Sequence, residues 1–388
     1  MRKRVFLIVI DGFGVGEAPD SYKYNDEGSN TFLNVYNQTK MELPNLYKLG
    51  LKNIDGLKLE KPDNPIGVYA KLQEKSAGKD TTTGHFEMME IISEKPGPTF
   101  PNGFPKEIVD KLEEAFGVKI IGNKVASGTG ILEEYGDEHL KTKMPIIYTS
   151  ADSVLQIATH TDVYSFDELY EMCEKAREIM QGEYAVGRVI ARPFHTNENG
   201  EFERLGKNRK DFSLSPKKPN TMSKLVENGF DVISVGKISD IFNHESITKD
   251  YPSHTNEDAM NDVKNEIIKL DFNGLCFVNL VDTDMLYGHR NDVIGYSECL
   301  KQFDKDIPYL IENLRDEDYL IITGDHGNDP TTPSTDHSRE YTPFILFNKK
   351  LSSKNLGILQ GFDSIGKYID SLFNIIGEES EIKNLLEK

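Results

Sequence analysis

The chain has 388 residues, enough for about two to three domains and for a sizeable core without disulfide or metal staples. Lysine and arginine number 45 against 64 acids, a formal net charge of −19, which argues against a general nucleic-acid binder with its basic footprint. Charged residues at 28% and hydrophobic ones at 37% exclude wholesale disorder.

The N-terminal MRKRVFLIVIDG imitates a signal peptide only briefly. Its apolar run, Val5 to Ile10, stops at Asp11, too short for an apolar signal region, and reads as a buried strand. No run approaches the length of a membrane helix. The cysteines Cys173, Cys276 and Cys299 are odd in number and lack CxxC spacing. They read as packed, reduced thiols, so a cytoplasmic protein without membrane contact is expected.

Two proline-rich stretches, Glu94 to Pro105 and Ser213 to Asn220, break the pattern, because proline removes a donor and fixes φ. Between them the spacing predicts a helix over Lys106 to Phe116, strands over Val118 to Ile121 and Pro145 to Thr149, a helix over Ser165 to Met180, and a strand over Val186 to Ala191. Ser165 and Glu168 form a capping-box signature for the second helix. Outside this segment the apolar runs 5–10, 232–235, 275–281 and 319–323 alternate with amphipathic stretches, the pattern of a mostly parallel sheet. The expected fold class is α/β, with a core formed by residues 1–98 and 218–388 and a smaller α/β cap inserted at 99–217. From Ala185 to Lys218 there are eight basic residues against four acidic ones, a local patch suited to a small anion or to a solvated loop.

Ligands of open parallel sheets gather beyond the carboxyl ends of the strands. There the first run is followed by Asp11-Gly12, the third by Asp282-Thr283-Asp284 with His289 beyond, and the fourth by Gly324-Asp325-His326-Gly327. The second is followed by Gly236-Lys237, and Asp336-His337 lies after the DHGNDP segment. A single aspartate after a strand is an ordinary turn or N-cap residue. Repeated at one sheet edge, such groups repel unless cations sit among them. The Asp and His mixture suits Zn²⁺, Mn²⁺ or Fe better than Mg²⁺ or Ca²⁺, and the number of donors suggests two ions, an arrangement that can hold both oxygens of a phosphoryl transfer.

The small-residue loop Ser76 to Asp80 opens a helical pattern through three threonines, Thr81, Thr82 and Thr83. A hydroxyl at a helix N-terminus faces unpaired N–H groups and the positive end of the dipole. Spacing does not distinguish the three. His85, His139, His160, His195, His244 and His254 lack comparable partners and read as surface or core residues. DGFGVG is a weak dinucleotide fingerprint.

Taken together, VIDGFGVG, AGKDTTTGHFEMM, FPNGFP, YTSADSVLQIATH, GRVIARPF, FSLSPKKPNT, VGKISDIF, NLVDTDMLYGHRND and TGDHGNDPTTPSTDHSREYTPF resemble the prokaryotic phosphopentomutases of the alkaline phosphatase superfamily over essentially the whole chain. DHGND with a downstream DHSREYTP is the most specific combination; Phe86 stands where many members have tryptophan. The resemblance implies an alkaline-phosphatase-like core. It implies Thr83 as the phosphate carrier, Asp11, Asp325 and His326 as ligands of the metal beside it, and Asp284, His289 and His337 as ligands of a second. Manganese is the implied metal, two ions per chain. Less directly, it implies substrate contacts from Asp152, Arg188 and Lys237, with Arg192, Arg204 and Arg209 as competitors. The implied activity is interconversion of ribose or deoxyribose 1-phosphate and 5-phosphate through a phosphothreonine, primed by glucose 1,6-bisphosphate or ribose 1,5-bisphosphate. A phosphatase of the same superfamily and a non-catalytic sugar-phosphate binder are the alternatives. The expected partners are pentose phosphates, with no nucleic acid and the oligomeric state left open.

Overall fold

The run VFLIVI lies within strand Arg4–Ile10, every residue of which is buried. The computed structural model describes residues 2–150 and 153–388, so Asp152 lies outside the described residues. The chain divides into two units, Met1–Lys95 with Pro216–Lys388, and Pro96–Ser215. Both breaks fall in the proline-rich stretches.

The first unit is built on an eight-stranded sheet in the order Lys249–Tyr251, Asp231–Val235, Gly274–Leu280, Arg4–Ile10, Tyr319–Thr323, Thr342–Phe347, Val68–Gln73, Lys354–Gln360. The first five are mutually parallel; Thr342–Phe347 is antiparallel to both of its neighbours. Alternation along Arg4–Ile10 sends Phe6, Ile8 and Ile10 into one core and Val5, Leu7 and Val9 into another on the opposite face. Helices Thr31–Thr39 and Val293–Asn313 cover the first face, and Thr81–Met88 and Asp363–Leu372 the second. A strand covered on both sides has no polar face to show, hence its continuous apolar run. Each fully buried aliphatic or aromatic side chain contributes about 1.5–3 kcal/mol relative to exposure.

The second unit holds a mixed six-stranded sheet in the order Ile121–Val125, Ile146–Thr149, Val154–His160, Arg188–Thr196, Phe202–Arg204, with Lys210–Ser213 also paired to Arg188–Thr196. Helices Lys106–Phe116 and Phe166–Ile179 pack on one face through Ile108, Leu112, Leu169 and Cys173. Gly130–Thr142 packs on the other through Ile131 and Leu132. The capping box forms, with both the Ser165 and Glu168 bonds made. The strand predicted over Val118 to Ile121 instead runs Ile121–Val125. Gly117 ends the preceding helix in a left-handed conformation, and the Ile120 amide is taken by Glu113 Oε1 at 3.2 Å, which keeps the intervening residues out of the sheet. Among the described residues, no helix is long and apolar enough to cross a membrane.

Candidate metal centre and active site

Asp11, Asp284, Asp325 and His326 stand just beyond the carboxyl ends of three adjacent parallel strands, Arg4–Ile10, Gly274–Leu280 and Tyr319–Thr323. All four are buried. Ligand atoms of Asp11, Asp325 and His326 lie within 4.8 Å of one another, and so do those of Asp284, His326 and His337. His326 Nε2 is 3.4 Å from Asp11 Oδ1 and 3.3 Å from Asp325 Oδ2. Asp284 is met by His289 Nε2 at 3.1 Å and His337 Nε2 at 3.4 Å, and these two nitrogens are 3.2 Å apart. His289 is therefore part of the second cluster.

The donor set fits divalent cations. His289 turns Nδ1 to the Thr335 carbonyl at 2.7 Å, and His326 turns Nδ1 to the Gly327 carbonyl at 3.0 Å. In each neutral ring the proton then sits on Nδ1 and the Nε2 lone pair faces the cluster. No lysine or arginine among the described residues pairs with Asp11, Asp284 or Asp325. Asp325 Oδ2 is buried without a hydrogen-bond partner. Burial, and then the charges of Asp325 and Asp284, push the Asp11 carboxyl up. Burial opposes ionisation of Asp284 too, but hydrogen bonds from His289 and His337 hold it well below the usual range. The Asp284 contact in turn lifts His289 to about 9. Several buried acids with only imidazoles between them leave a surplus of negative charge that a cation relieves, and mixed oxygen and nitrogen donors match Mn²⁺, Zn²⁺ or Fe.

Helix Thr81–Met88 brings the hydroxyls. Asp80 is its N-cap: Oδ1 accepts from the Thr83 amide at 3.1 Å, and Oδ2 accepts from Thr83 Oγ1 at 2.6 Å. Thr83 is thus turned back onto the cap. Thr81, at the first helical position, lies 3.2 Å from His326 Nε2 and 3.5 Å from Asp11 Oδ1. The resemblance points to Thr83 as the phosphate carrier; of the two hydroxyls, it is that of Thr81 that faces His326 and Asp11, while that of Thr83 is bonded to Asp80. The physical reason is the cap itself, which engages both the amide and the hydroxyl of the third helical residue and leaves the first facing the acids. Gly84 allows this approach, since a Cβ there would stand 3.0 Å from Asp325 Cβ and closer still to the Asp325 carbonyl.

Several supporting residues carried no sequence signal of their own. His85, read as a packing histidine, gives Nδ1 to the Thr81 carbonyl at 2.8 Å and lies 3.3 Å from Asp325 Oδ2. Its place one helical turn beyond Thr81 was the available clue. Asn279 donates to Asp11 Oδ2 at 3.0 Å and Asn328 to Asp284 Oδ1 at 2.6 Å. Arg339, buried, ties down the loop before Thr81: NH1 donates to the Ser76 carbonyl at 2.8 Å and the Gly78 carbonyl at 2.7 Å, and also bonds Glu74. Nε and NH2 reach Asp20 at 3.1 and 3.2 Å.

Of the expected substrate contacts, Asp152 lies outside the described residues. Arg188, in the second unit, directs NH1 to Asp211 Oδ2 at 3.3 Å. Lys237, in the first, is exposed, with Nζ 3.5 Å from Met285 Sδ.

A family model described as the metalloenzyme superfamily matches residues 3–375. A curated phosphopentomutase of Acetivibrio thermocellus is 51% identical over 383 residues, covering 97% of this chain and 98% of the relative. Another, of Lachnoclostridium phytofermentans, is 48% identical and covers 100% of both chains. A solved structure from Pyrococcus horikoshii matches with a TM-score of 0.50 at 14% identity, covering 97% of this chain and 98% of that one, a likeness of fold. The chain therefore belongs to the metalloenzyme superfamily and, within it, to the phosphopentomutase family.

Proposed function

We infer that the chain interconverts pentose 1-phosphates and 5-phosphates, ribose or deoxyribose, with Thr81 as the residue that carries the phosphoryl group between the two positions. The observation that supports this most is the Thr81 hydroxyl, at the start of a helix, 3.2 Å from His326 Nε2 and 3.5 Å from Oδ1 of buried Asp11. In the forward direction the bond between phosphorus and Thr81 Oγ breaks as one forms to the free hydroxyl of a bound pentose phosphate. The phosphate at the other position then returns to Thr81 Oγ. Divalent cations, for which we propose manganese, would be held by Asp11, Asp325 and His326 and by Asp284, His289 and His337, and would supply the positive charge that favours a phosphoryl group in transfer and a Thr81 alkoxide.

The chain's own residues prepare that step. His85 fixes the Thr81 carbonyl and Asp80 caps the helix, so the hydroxyl is held in one orientation and no reorganisation is needed at the moment of transfer. The first-turn amides favour negative charge at the same place. Arg188 and Lys237 are our candidates for the phosphate that is not in transfer. A sugar bisphosphate, glucose 1,6-bisphosphate or ribose 1,5-bisphosphate, would prime unphosphorylated Thr81.

The test is a ³¹P NMR time course with ribose 1-phosphate, Mn²⁺ and a trace of glucose 1,6-bisphosphate. Ribose 5-phosphate should grow without free phosphate, Thr81→Ala should abolish this, and Thr83→Ala should leave measurable turnover. Accumulating inorganic phosphate would mean a phosphatase. An active Thr81→Ala enzyme would end the assignment of the carrier.

A further inference from the structure

Behind the second cluster stands an acid that the reaction above leaves without a task. Glu340 is buried. Its Oε1 accepts from the hydroxyls of Thr31 and Ser338, both at 2.7 Å, and its Oε2 from the amides of Thr31 at 2.9 Å and Gly16 at 3.1 Å. All of these donors are neutral. Burial pushes the Glu340 carboxyl up to about 7, so a charge kept there costs stability.

The donors lead on to the proposed metal ligands. The Thr31 hydroxyl, at the first position of helix Thr31–Thr39, accepts from the Asn328 amide at 3.1 Å, and the Asn328 side chain donates to Asp284 Oδ1 at 2.6 Å. Among the described residues, Asn328 is the one side chain outside the proposed ligands that bonds Asp284. Ser338 directly follows His337 and exchanges two backbone bonds with Gly327, at 2.7 and 3.1 Å. Two glycines make room for these contacts. A Cβ on Gly327 would stand 2.5 Å from Glu340 Oε1, and one on Gly288 would stand 2.5 Å from Asn328 Cγ. Neither has a left-handed φ, so close approach is what requires glycine there. Asp11 and Asp325 are held by other groups: Asn279 bonds the first, and the Gly12 amide at 3.0 Å and His85 meet the second.

We propose that Glu340 is a positioning residue for the second cluster, fixing the Asp284 carboxylate through Thr31 and Asn328 and the backbone beside His337 through Ser338, without being a ligand itself. Groups one step behind a metal ligand orient it, and losing them typically costs about 10–100-fold in metal affinity. Because Asp11 and Asp325 have their own supports, the loss falls on one ion and not on both. The inference rests on the proposed two-ion site, and not on which acceptor takes the phosphoryl group.

The experiment is calorimetric titration of the metal-free full chain with Mn²⁺, with thermal melting of the same metal-free proteins alongside. Wild type should take up two equivalents. Thr31→Val keeps the side-chain shape but removes the hydroxyl, and Glu340→Ala removes the whole anchor. Each should weaken one equivalent about tenfold or more and leave the other close to wild type. Glu340→Gln should bind nearly as wild type does, because its oxygen can accept from both amides while its NH2 donates to both hydroxyls. The control is Asp304→Ala, which removes another buried carboxylate, one whose partners lie in helix Pro44–Leu49. It should lower the melting temperature and change neither affinity. Thr31→Val decides the question by itself where Glu340→Ala fails to fold. Variants that melt lower but bind both equivalents as tightly as wild type would make Glu340 structural only and overturn the inference. So would an Asp304→Ala protein that loses the same equivalent, or a Glu340→Gln protein as weak as Glu340→Ala. A wild type that takes up a single equivalent overturns the two-ion reading and this inference with it; two equivalents in wild type with unchanged variants overturn this inference alone.

Discussion

Replacing Arg339 with methionine should separate stability from turnover. Arg339 and Glu74 are both buried, and Arg339 is the only cation that pairs with that carboxylate among the described residues. Arg339 NH1 bonds Glu74 Oε2, and the buried Oε1 has no hydrogen-bond partner among the described residues. Removing one member of such a pair leaves a buried charge uncompensated and costs about 3–5 kcal/mol. The same change strips donors from the Ser76 and Gly78 carbonyls, which anchor the loop entering the Thr81 helix. A displacement of about 1 Å at a reacting group can cost about a hundredfold in rate. Arg339→Met should therefore lower the denaturation midpoint and reduce kcat about a hundredfold. The double variant Arg339→Met/Glu74→Met, with no buried charge left over, should recover most of the stability and little of the rate, because the loop carbonyls still lack their donors. Urea titration followed by circular dichroism and ³¹P turnover assays read the two effects separately. A single variant as stable as wild type, or a double variant with full turnover, would refute the reasoning.

Two further outcomes follow from other parts of the molecule. Chelation should destabilise the first unit, since Asp11, Asp284 and Asp325 lose their compensating charge. Readdition of Mn²⁺ at about 100 times its dissociation constant should return about 2.7 kcal/mol, seen as a rise in melting temperature with metal concentration. In the second unit, burial holds both His139 and His160 below the ordinary imidazole pKa. Each ring nitrogen set needs the neutral form: His139 Nε2 accepts from the His160 amide at 2.9 Å, and His160 Nδ1 accepts from the Asp162 amide at 3.1 Å. The unfolded chain binds protons first on acidification, so this stability is complete above about pH 6.5 and is lost as pH falls below it. Hydrogen-exchange protection in strand Val154–His160, taken relative to the intrinsic exchange rate at each pH, should fall as pH is lowered from about 7.5 to 5, and a pH-independent opening equilibrium there would contradict the argument.

The core strands were legible because burial on both faces writes them as uninterrupted apolar runs. The clustering of Asp11, Asp284 and Asp325 was legible because parallel strands deliver their C-terminal neighbours to one edge. Strand Val68–Gln73 was not: its lysine, tyrosine and glutamine sit on a partly exposed face, so the run never becomes continuous. Thr342–Phe347 contains Pro343, which weakens any strand reading from sequence alone. What distinguishes Thr81 from Thr83 is which hydroxyl Asp80 engages, a matter of side-chain direction at successive helical positions that residue type does not encode. His85 escaped for a related reason. Its partners, the Thr81 carbonyl and Asp325, are a backbone atom and a residue far along the chain, neither visible as a motif.

The central strand of the first unit also bears on the order in which the molecule is made. Arg4–Ile10 lies between Gly274–Leu280 and Tyr319–Thr323, and next to it the Lys3 amide bonds the Asn273 side chain across 270 positions. At about 5–20 residues per second, its nearer partner leaves the ribosome roughly 15–55 s after it. Residues 96–215, whose sheet and apolar clusters draw on no residue outside that span, are complete well before then. Synthesis thus favours the inserted unit folding first, while VFLIVI waits as one of the stickiest segments of the nascent chain. Chaperone dependence during translation should accordingly concentrate on the first hundred residues.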